Sequence, residues 1–467
     1  MKTGAYRLRN INNKTTAITE GVIWQQLLIF FFPILFGTFF QQLYNTADAI
    51  IVGRFLGKEA LSAVGGGTGT VINLLIGFFT GLSSGGTVII SQFYGAKNER
   101  DVNRAVHTTI ALSIVGGLVI TVLGIFYAPW MLKLLGTPDE ILTLAVSYTR
   151  IFFLGILPTI VYNMGAGILR AVGDSRRPLY FLIAGTIINI ILDFVFIAIL
   201  NLGVEGAAFA TIASQFVTMI LVCACLMKSR ECYRLIIKDI RFDPPVLKRI
   251  IQIGFPAGLQ SIMYTVSNLI IQANVNAFGT NTIAAWAAWG KIDSIFWMTI
   301  NSFGIAVTTF AGQNFGANKL DRVRKGVRQC FLMAGIGTAL LYVVFKLLGK
   351  FFYALFTTDD AVIEEGLKIL NFIAPTFITY IGIEIFSGTV RGCGKSLVPT
   401  LMTCGGVCVF RILWLSIAVP LNPVFYTVCA AYPISWVITT ILFFIYYISL
   451  SKRDFRSRSC ILQAHGA

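Results

Sequence analysis

The sequence predicts an all-α polytopic membrane protein, with twelve transmembrane helices in two six-helix halves that repeat one another. Three observations carry this. Of the 467 residues, 56% are hydrophobic and only 12% are charged, about half the roughly 25% of a soluble domain. Apolar runs recur that reach or exceed the ~20 residues needed to cross a bilayer. Short motifs also return at a nearly constant spacing of 221 to 223 residues.

In chain order, the predicted spans cover residues 25–50, 60–90, 104–128, 142–168, 179–200 and 204–227 in the first half. In the second they cover 248–277, 283–312, 328–347, 364–389, 397–419 and 424–450. Several exceed the bilayer thickness and carry glycines, so tilted or broken helices are expected. Residues 1–24 are read as a polar, basic tail without a cleavable signal. Residues 25–227 form one lobe, 228–247 a linker, 248–450 a second lobe and 451–467 a C-terminal tail. Lys and Arg concentrate in the tails and the even-numbered loops, which hold 28 of the 37. The positive-inside bias therefore places both termini and those loops in the cytoplasm; separately, the protein is expected in the inner (plasma) membrane and as a monomer. It also accounts for most of the net charge of +16, with the lipid bilayer as the partner and no role for nucleic acid.

The repeat is specific. Ser91-Gln92-Phe93-Tyr94-Gly95-Ala96-Lys97 returns as Gly312-Gln313-Asn314-Phe315-Gly316-Ala317-Asn318, and Arg170-Ala171-Val172-Gly173-Asp174-Ser175 as Arg391-Gly392-Cys393-Gly394-Lys395-Ser396, both at 221. Phe32-Pro33 and Phe55-Leu56-Gly57 return as Phe255-Pro256 and Ala277-Phe278-Gly279, at 223 and 222. Six spans per copy give both copies one orientation, related by a pseudo-twofold along the membrane normal. That arrangement is typical of transporters with a central site. Leu157-Pro158-Thr159 aligns with Ala374-Pro375-Thr376 at 217, which predicts an extra helical turn ahead of Arg391.

Catalytic chemistry finds no support. Most of the nine cysteines lie in apolar runs, which is no disulfide framework. His107 and His465 stand in no metal-ligand pattern. Gly394-Lys395-Ser396 imitates the end of a phosphate-binding loop, but Thr389 stands where its first glycine belongs. The protein is therefore not read as an enzyme, and no cofactor is implied beyond a coupling ion. The intramembrane charges are read as Asp48, Asp193, Glu384 and Arg411. Such residues are costly in a bilayer and mark functional cavities. Tyr44 and Asp48, and likewise Asn189 and Asp193, stand four apart and share a helix face. Their oxygens suit a hard cation such as Na⁺, a shared proton, or a purely packing role.

With these residues in view, the chain resembles the multidrug and toxic compound extrusion (MATE) family over about residues 20 to 450. The resemblance rests on Pro33, Tyr44 and Asp48-Ala49-Ile50-Ile51-Val52-Gly53, on the paired loops after Gln92 and Gln313, and on Arg170 to Pro178 with Arg391 to Pro399. It rests also on Asn189 with Asp193 and on Gly203 to Thr211. The pattern looks closest to the bacterial DinF-like branch. The resemblance implies a V-shaped molecule of two lobes that alternates between outward and inward openings. Such proteins export small organic compounds, cationic or amphiphilic, in exchange for H⁺ or Na⁺. It implies a coupling cation at Tyr44, Asp48, Asn189, Asp193 and Thr211, and a hinge at Pro33. The acids that some branches carry in the second lobe are replaced by Tyr264 and Tyr380. The second-lobe candidates are then Glu384, Arg411, Asn268 and Tyr264, with Glu384 and Arg411 expected to pair. The spacing of 221 makes Trp414 the counterpart of Asp193. The alternative function is a flippase for a lipid-linked precursor, which favours a strongly basic cavity.

Overall fold

The computed structural model describes residues 18–464. The basic tail residues Lys2, Arg7, Arg9 and Lys14, and His465, lie outside them. The first half contains α1 (Ile23–Gly65), α2 (Gly67–Gly95), α3 (Glu99–Leu134), α4 (Asp139–Leu154), α5 (Ile156–Ala171), α6 (Arg176–Asp193) and α7 (Gly203–Lys228). The second contains α8 (Pro244–Val275), α9 (Thr280–Gly316), α10 (Leu320–Ala354), α11 (Asp360–Ile373), α12 (Phe377–Gly392), α13 (Leu397–Thr403), α14 (Phe410–Leu421) and α15 (Phe425–Ala464). No strand occurs among the described residues. Helices α4 and α5 meet at 47° and make one broken span, while α11 with α12, and α13 with α14, are continuous through short 3₁₀ and π turns. The result is twelve spanning units.

The duplication is visible in the backbone. Among the described residues, six of the ten left-handed conformations form pairs at the repeat spacing: Gly57 (φ 86°) with Gly279 (φ 90°), Lys97 (φ 57°) with Asn318 (φ 59°), and Gly173 (φ 96°) with Gly394 (φ 90°). Each pair ends or breaks equivalent helices. Gly57 also corrects the first span. The helix does not stop near residue 50 but runs on to Gly65, interrupted only at this glycine. Pro33 lies inside the same helix with helical geometry around it.

One alignment from the sequence is overturned. Helices α4 and α11 begin 221 residues apart, at Asp139 and Asp360, and so do α5 and α12, at Ile156 and Phe377. No extra turn exists. Pro158 lies in the first turn of α5, whereas Pro375 lies in the 3₁₀ turn before α12. The two breaks are made by non-equivalent prolines.

The halves meet through α2 against α8 and α9, and through α1 against α9. Glycines allow the approach: a Cβ on Gly81 would overlap the backbone of Gly258, and one on Gly85 the carbonyl of Ile250. Phe31 stacks on Phe303 with ring centroids 4.0 Å apart. At the end that carries the repeated loops, two bonds join the halves symmetrically. Gln92 Nε2 donates to the Gly392 carbonyl at 2.8 Å, and Gln313 Nε2 to the Ala171 carbonyl at 2.7 Å.

The linker is docked rather than free. His107 Nε2 accepts from Ile236 N at 3.0 Å while Nδ1 lies 2.8 Å from the Asn103 carbonyl, so Nδ1 carries the proton. Asp243 caps α8 by accepting from Val246 N, and also receives Arg104 Nε at 2.7 Å. Pro244 and Pro245 fill the first positions of α8, where no amide donor is missed.

Candidate functional site

Four helices of the first half converge on one polar cluster. Helix α1 brings Tyr44 and Asp48 on one face, α6 brings Asn189 and Asp193, and α7 brings Thr211. Helix α4 adds Tyr148, which sequence reasoning missed. Asp48 is 8% exposed, Thr211 2%, and Asn189 and Asp193 0%. Tyr44 and Tyr148 lie close to Thr211, Asp48 and Asp193. Apolar neighbours such as Val52, Ile197, Ala207 and Ala208 enclose the group. The expected coupling residues are thus brought together in space.

Six buried atoms in this cluster have no hydrogen-bond partner among the described residues: Asp48 Oδ1, both amide atoms of Asn189, both carboxylate oxygens of Asp193, and Thr211 Oγ1. Each such atom costs about 1–3 kcal/mol when left unsatisfied. The cluster is therefore not explained by packing. Two carboxyls, an amide oxygen and hydroxyls form an all-oxygen donor set that fits a small hard cation. They fit equally a proton shared by two close acids. Directly after Asp193 the helix takes a π turn over Phe194–Ile199, a feature frequent at functional sites.

The second half carries a different site. Tyr264, Asn268, Trp289, Asp293, Arg411 and Tyr432 are among the residues lining a cavity of about 450 Å³, and every lining residue comes from this half. Asp293, inside the predicted eighth span, was missing from the sequence-read charges; it accepts from Trp297 Nε1 at 3.1 Å. Arg411 is 2% exposed and so does not reach an interface. Its Nε donates to Ser435 Oγ at 3.1 Å, and its guanidinium lies 4.2 Å from the Tyr432 ring centroid.

The expected Glu384–Arg411 pair does not form among the described residues. Glu384 instead lies near Arg391, seven residues along α12, and near Tyr380, without a salt bridge among the described residues; Arg391 Nη2 donates to Gln260 Oε1 at 3.3 Å. Tyr380 is in turn bonded to Tyr264 at 3.2 Å. Gly304 makes the space, since a Cβ there would overlap Glu384 Oε1. The counterpart of Asp193 also changes. A π turn at Cys404–Val409 precedes α14, and such a turn inserts one residue into the helical register. Asn189 is then matched by Arg411 and Asp193 by Leu415. Arg411 and Leu415 are buried while Phe410 and Trp414 are partly exposed.

Residues 33–195 and 256–417 each match the MatE family model. The chain is 29% identical over 448 residues to the probable multidrug resistance protein YoeA of Bacillus subtilis, covering 92% of this chain and 95% of that one. It is 24% identical over 395 residues to the multidrug export protein MepA of Staphylococcus aureus, covering 84% and 87%. Among solved structures, a MOP superfamily transporter from Pyrococcus furiosus superposes with a TM-score of 0.88 at 24% identity, covering 94% and 99%. A MATE structure in the bent conformation gives 0.89 at 23%, covering 96% and 99%. Both halves match one family model on a shared twelve-helix architecture: the chain belongs to the MatE family of multidrug and toxic compound extrusion proteins, multi-pass membrane transporters and not enzymes.

Proposed function

We propose that the protein is an antiporter that exports organic compounds, cationic or amphiphilic, against inward flow of H⁺ or Na⁺. Coupling resides in the first-half cluster of Tyr44, Asp48, Asn189, Asp193 and Thr211, with Tyr148 as a sixth member. The observation that carries this reading is the set of six buried, partnerless polar atoms on residues of that cluster. The second half offers no equivalent: Ile270 or Ile271 stands at the repeat position of Asp48 and Leu415 at that of Asp193.

In this reading the lobes are residues 25–227 and 248–450, joined by the linker at 228–247. The protein works as a monomer in the plasma membrane, with both termini and the Gln92 and Gln313 loops cytoplasmic. The cation enters from outside, binds Asp48 with Asp193, and shifts α1 about Pro33. The first-half cavity narrows and substrate leaves. Release of the cation to the cytoplasm resets the cluster. One proton crossing ~100 mV supplies about 2.3 kcal/mol, and each pH unit about 1.4 kcal/mol. Together these sustain a substrate gradient of a few hundred-fold per proton.

The test is transport in proteoliposomes with an imposed pH or Na⁺ gradient and a panel of cationic dyes. One of the two gradients is expected to drive dye movement. Failure of both to drive any dye overturns the antiporter reading.

A further inference from the structure

The two halves place opposite chemistry at one equivalent location. Asn189 and Thr211 correspond to Arg411 and Tyr432, Asp48 to the apolar Ile270 or Ile271, and Ile271, Arg411 and Tyr432 line the second-half cavity. Where the first half gathers carboxylates, the second presents a guanidinium among aromatic rings. Arg411 is held in place from two sides, by Ser435 on Nε and by Tyr432 and Trp436 on its face, with ring centroids 4.2 and 5.7 Å from its central carbon. Its Nη2 is buried and finds no partner among the described residues. A buried guanidinium without a carboxylate partner is expensive, and its planar fork matches one. Asp293 lines the same cavity and accepts from Trp297 Nε1 rather than from Arg411. Trp286, Trp289 and Trp297 supply flat surfaces around both charges.

We propose that this cavity binds a planar aromatic compound bearing a carboxylate, with Arg411 reading the carboxylate and the indole and phenol rings stacking on the aromatic plane. Asp293 receives an amino group on the same compound. A volume of about 450 Å³ lies within the range of small-molecule sites. As a second-half binding site of the exporter, additional to the first-half cavity from which substrate leaves, this assignment rests on the antiporter reading and narrows the cationic or amphiphilic substrates to those that also carry a carboxylate.

The experiment is a fluorescence-polarisation titration of the purified full chain with a rhodamine bearing a free carboxylate, and with its methyl ester. The wild type is expected to bind the acid at least about tenfold tighter than the ester, the scale of one charge-assisted hydrogen bond. Arg411→Gln is expected to remove that preference, and Arg411→Lys to keep part of it, because the charge remains while the fork is lost. Equal binding of acid and ester by the wild type overturns the proposal without requiring any variant to fold. So does an undiminished preference in Arg411→Gln. An anionic lipid carries similar headgroup chemistry, so displacement of the dye by phosphatidylglycerol overturns the small-molecule assignment. No ion gradient is used, so failure here leaves the first-half coupling standing, and failure of gradient-driven transport leaves this preference intact.

Discussion

Replacing Gln92 and Gln313 by alanine should open the end of the molecule that their loops close. Each glutamine donates to a backbone carbonyl of the other half, Gly392 and Ala171, at 2.8 and 2.7 Å. An amide–carbonyl bond is worth a net ~1 kcal/mol, and a buried carbonyl left bare costs about 1–3 kcal/mol. Each substitution is therefore expected to cost the closed state roughly 1–2 kcal/mol, and the pair about 2–4 kcal/mol. At about 1.4 kcal/mol per tenfold, the double variant shifts the closed-to-open ratio by roughly thirty-fold or more. The Gln92 change should be the larger, because Arg249 Nη2 also donates to its Oε1, at 3.4 Å. The assay is a spin-label distance measurement between residues 97 and 318, at the paired loop tips, in a background without native cysteines. An unchanged distance distribution in the double variant would refute the latch. So would an effect confined to one glutamine, since the bonds are related by the duplication.

Other outcomes follow from local geometry. Gly304→Ala places a methyl group on the Glu384 carboxylate; about 1–3 kcal/mol of lost stability is expected for such overpacking, and Glu384→Gln should not restore it, whereas Glu384→Ala should. Arg322 donates to the carbonyls of Ile18, Glu20 and Gly21, so Arg322→Ala should release that segment and raise its rate of limited proteolysis. Burial pushes the linker thiol Cys232 up to about 11. Only the thiolate reacts with alkylating agents, so Cys232 should be modified slowly at neutral pH and faster as pH rises toward that value. Rapid modification at neutral pH would show that the linker does not stay docked in solution.

The duplication and the first-half cluster were legible because both rest on residue identity. Glutamines, glycines and acids recur at fixed spacing whatever the helices do in three dimensions. Rotation of one helix against another was not legible. A π turn at Cys404–Val409 advances the register by one residue, and that moved Arg411 rather than Trp414 to the buried face. Hydropathy does not reveal such a turn. The Glu384–Arg411 pairing was inferred from scarcity of charge, yet Arg391 on the same helix was available to Glu384 and had been assigned to a loop. Asp293 was passed over because its span is rich in tryptophan and alanine and reads as apolar throughout. Tyr148 carried no signal, since one tyrosine in a membrane helix is ordinary. Pro158 and Pro375 misled for the opposite reason: their matching neighbours suggested equivalence, while helix starts 221 residues apart show that each break is built separately.

The central claim is that the ion is coupled in the first half alone. The direct measurement is gradient-driven dye export in proteoliposomes by Asp48→Asn and Glu384→Gln, side by side with the wild type. The expected result is loss of gradient dependence in Asp48→Asn and its retention in Glu384→Gln. Wild-type coupled export by Asp48→Asn, together with uncoupling by Glu384→Gln, would contradict the account and move the coupling site to the second half.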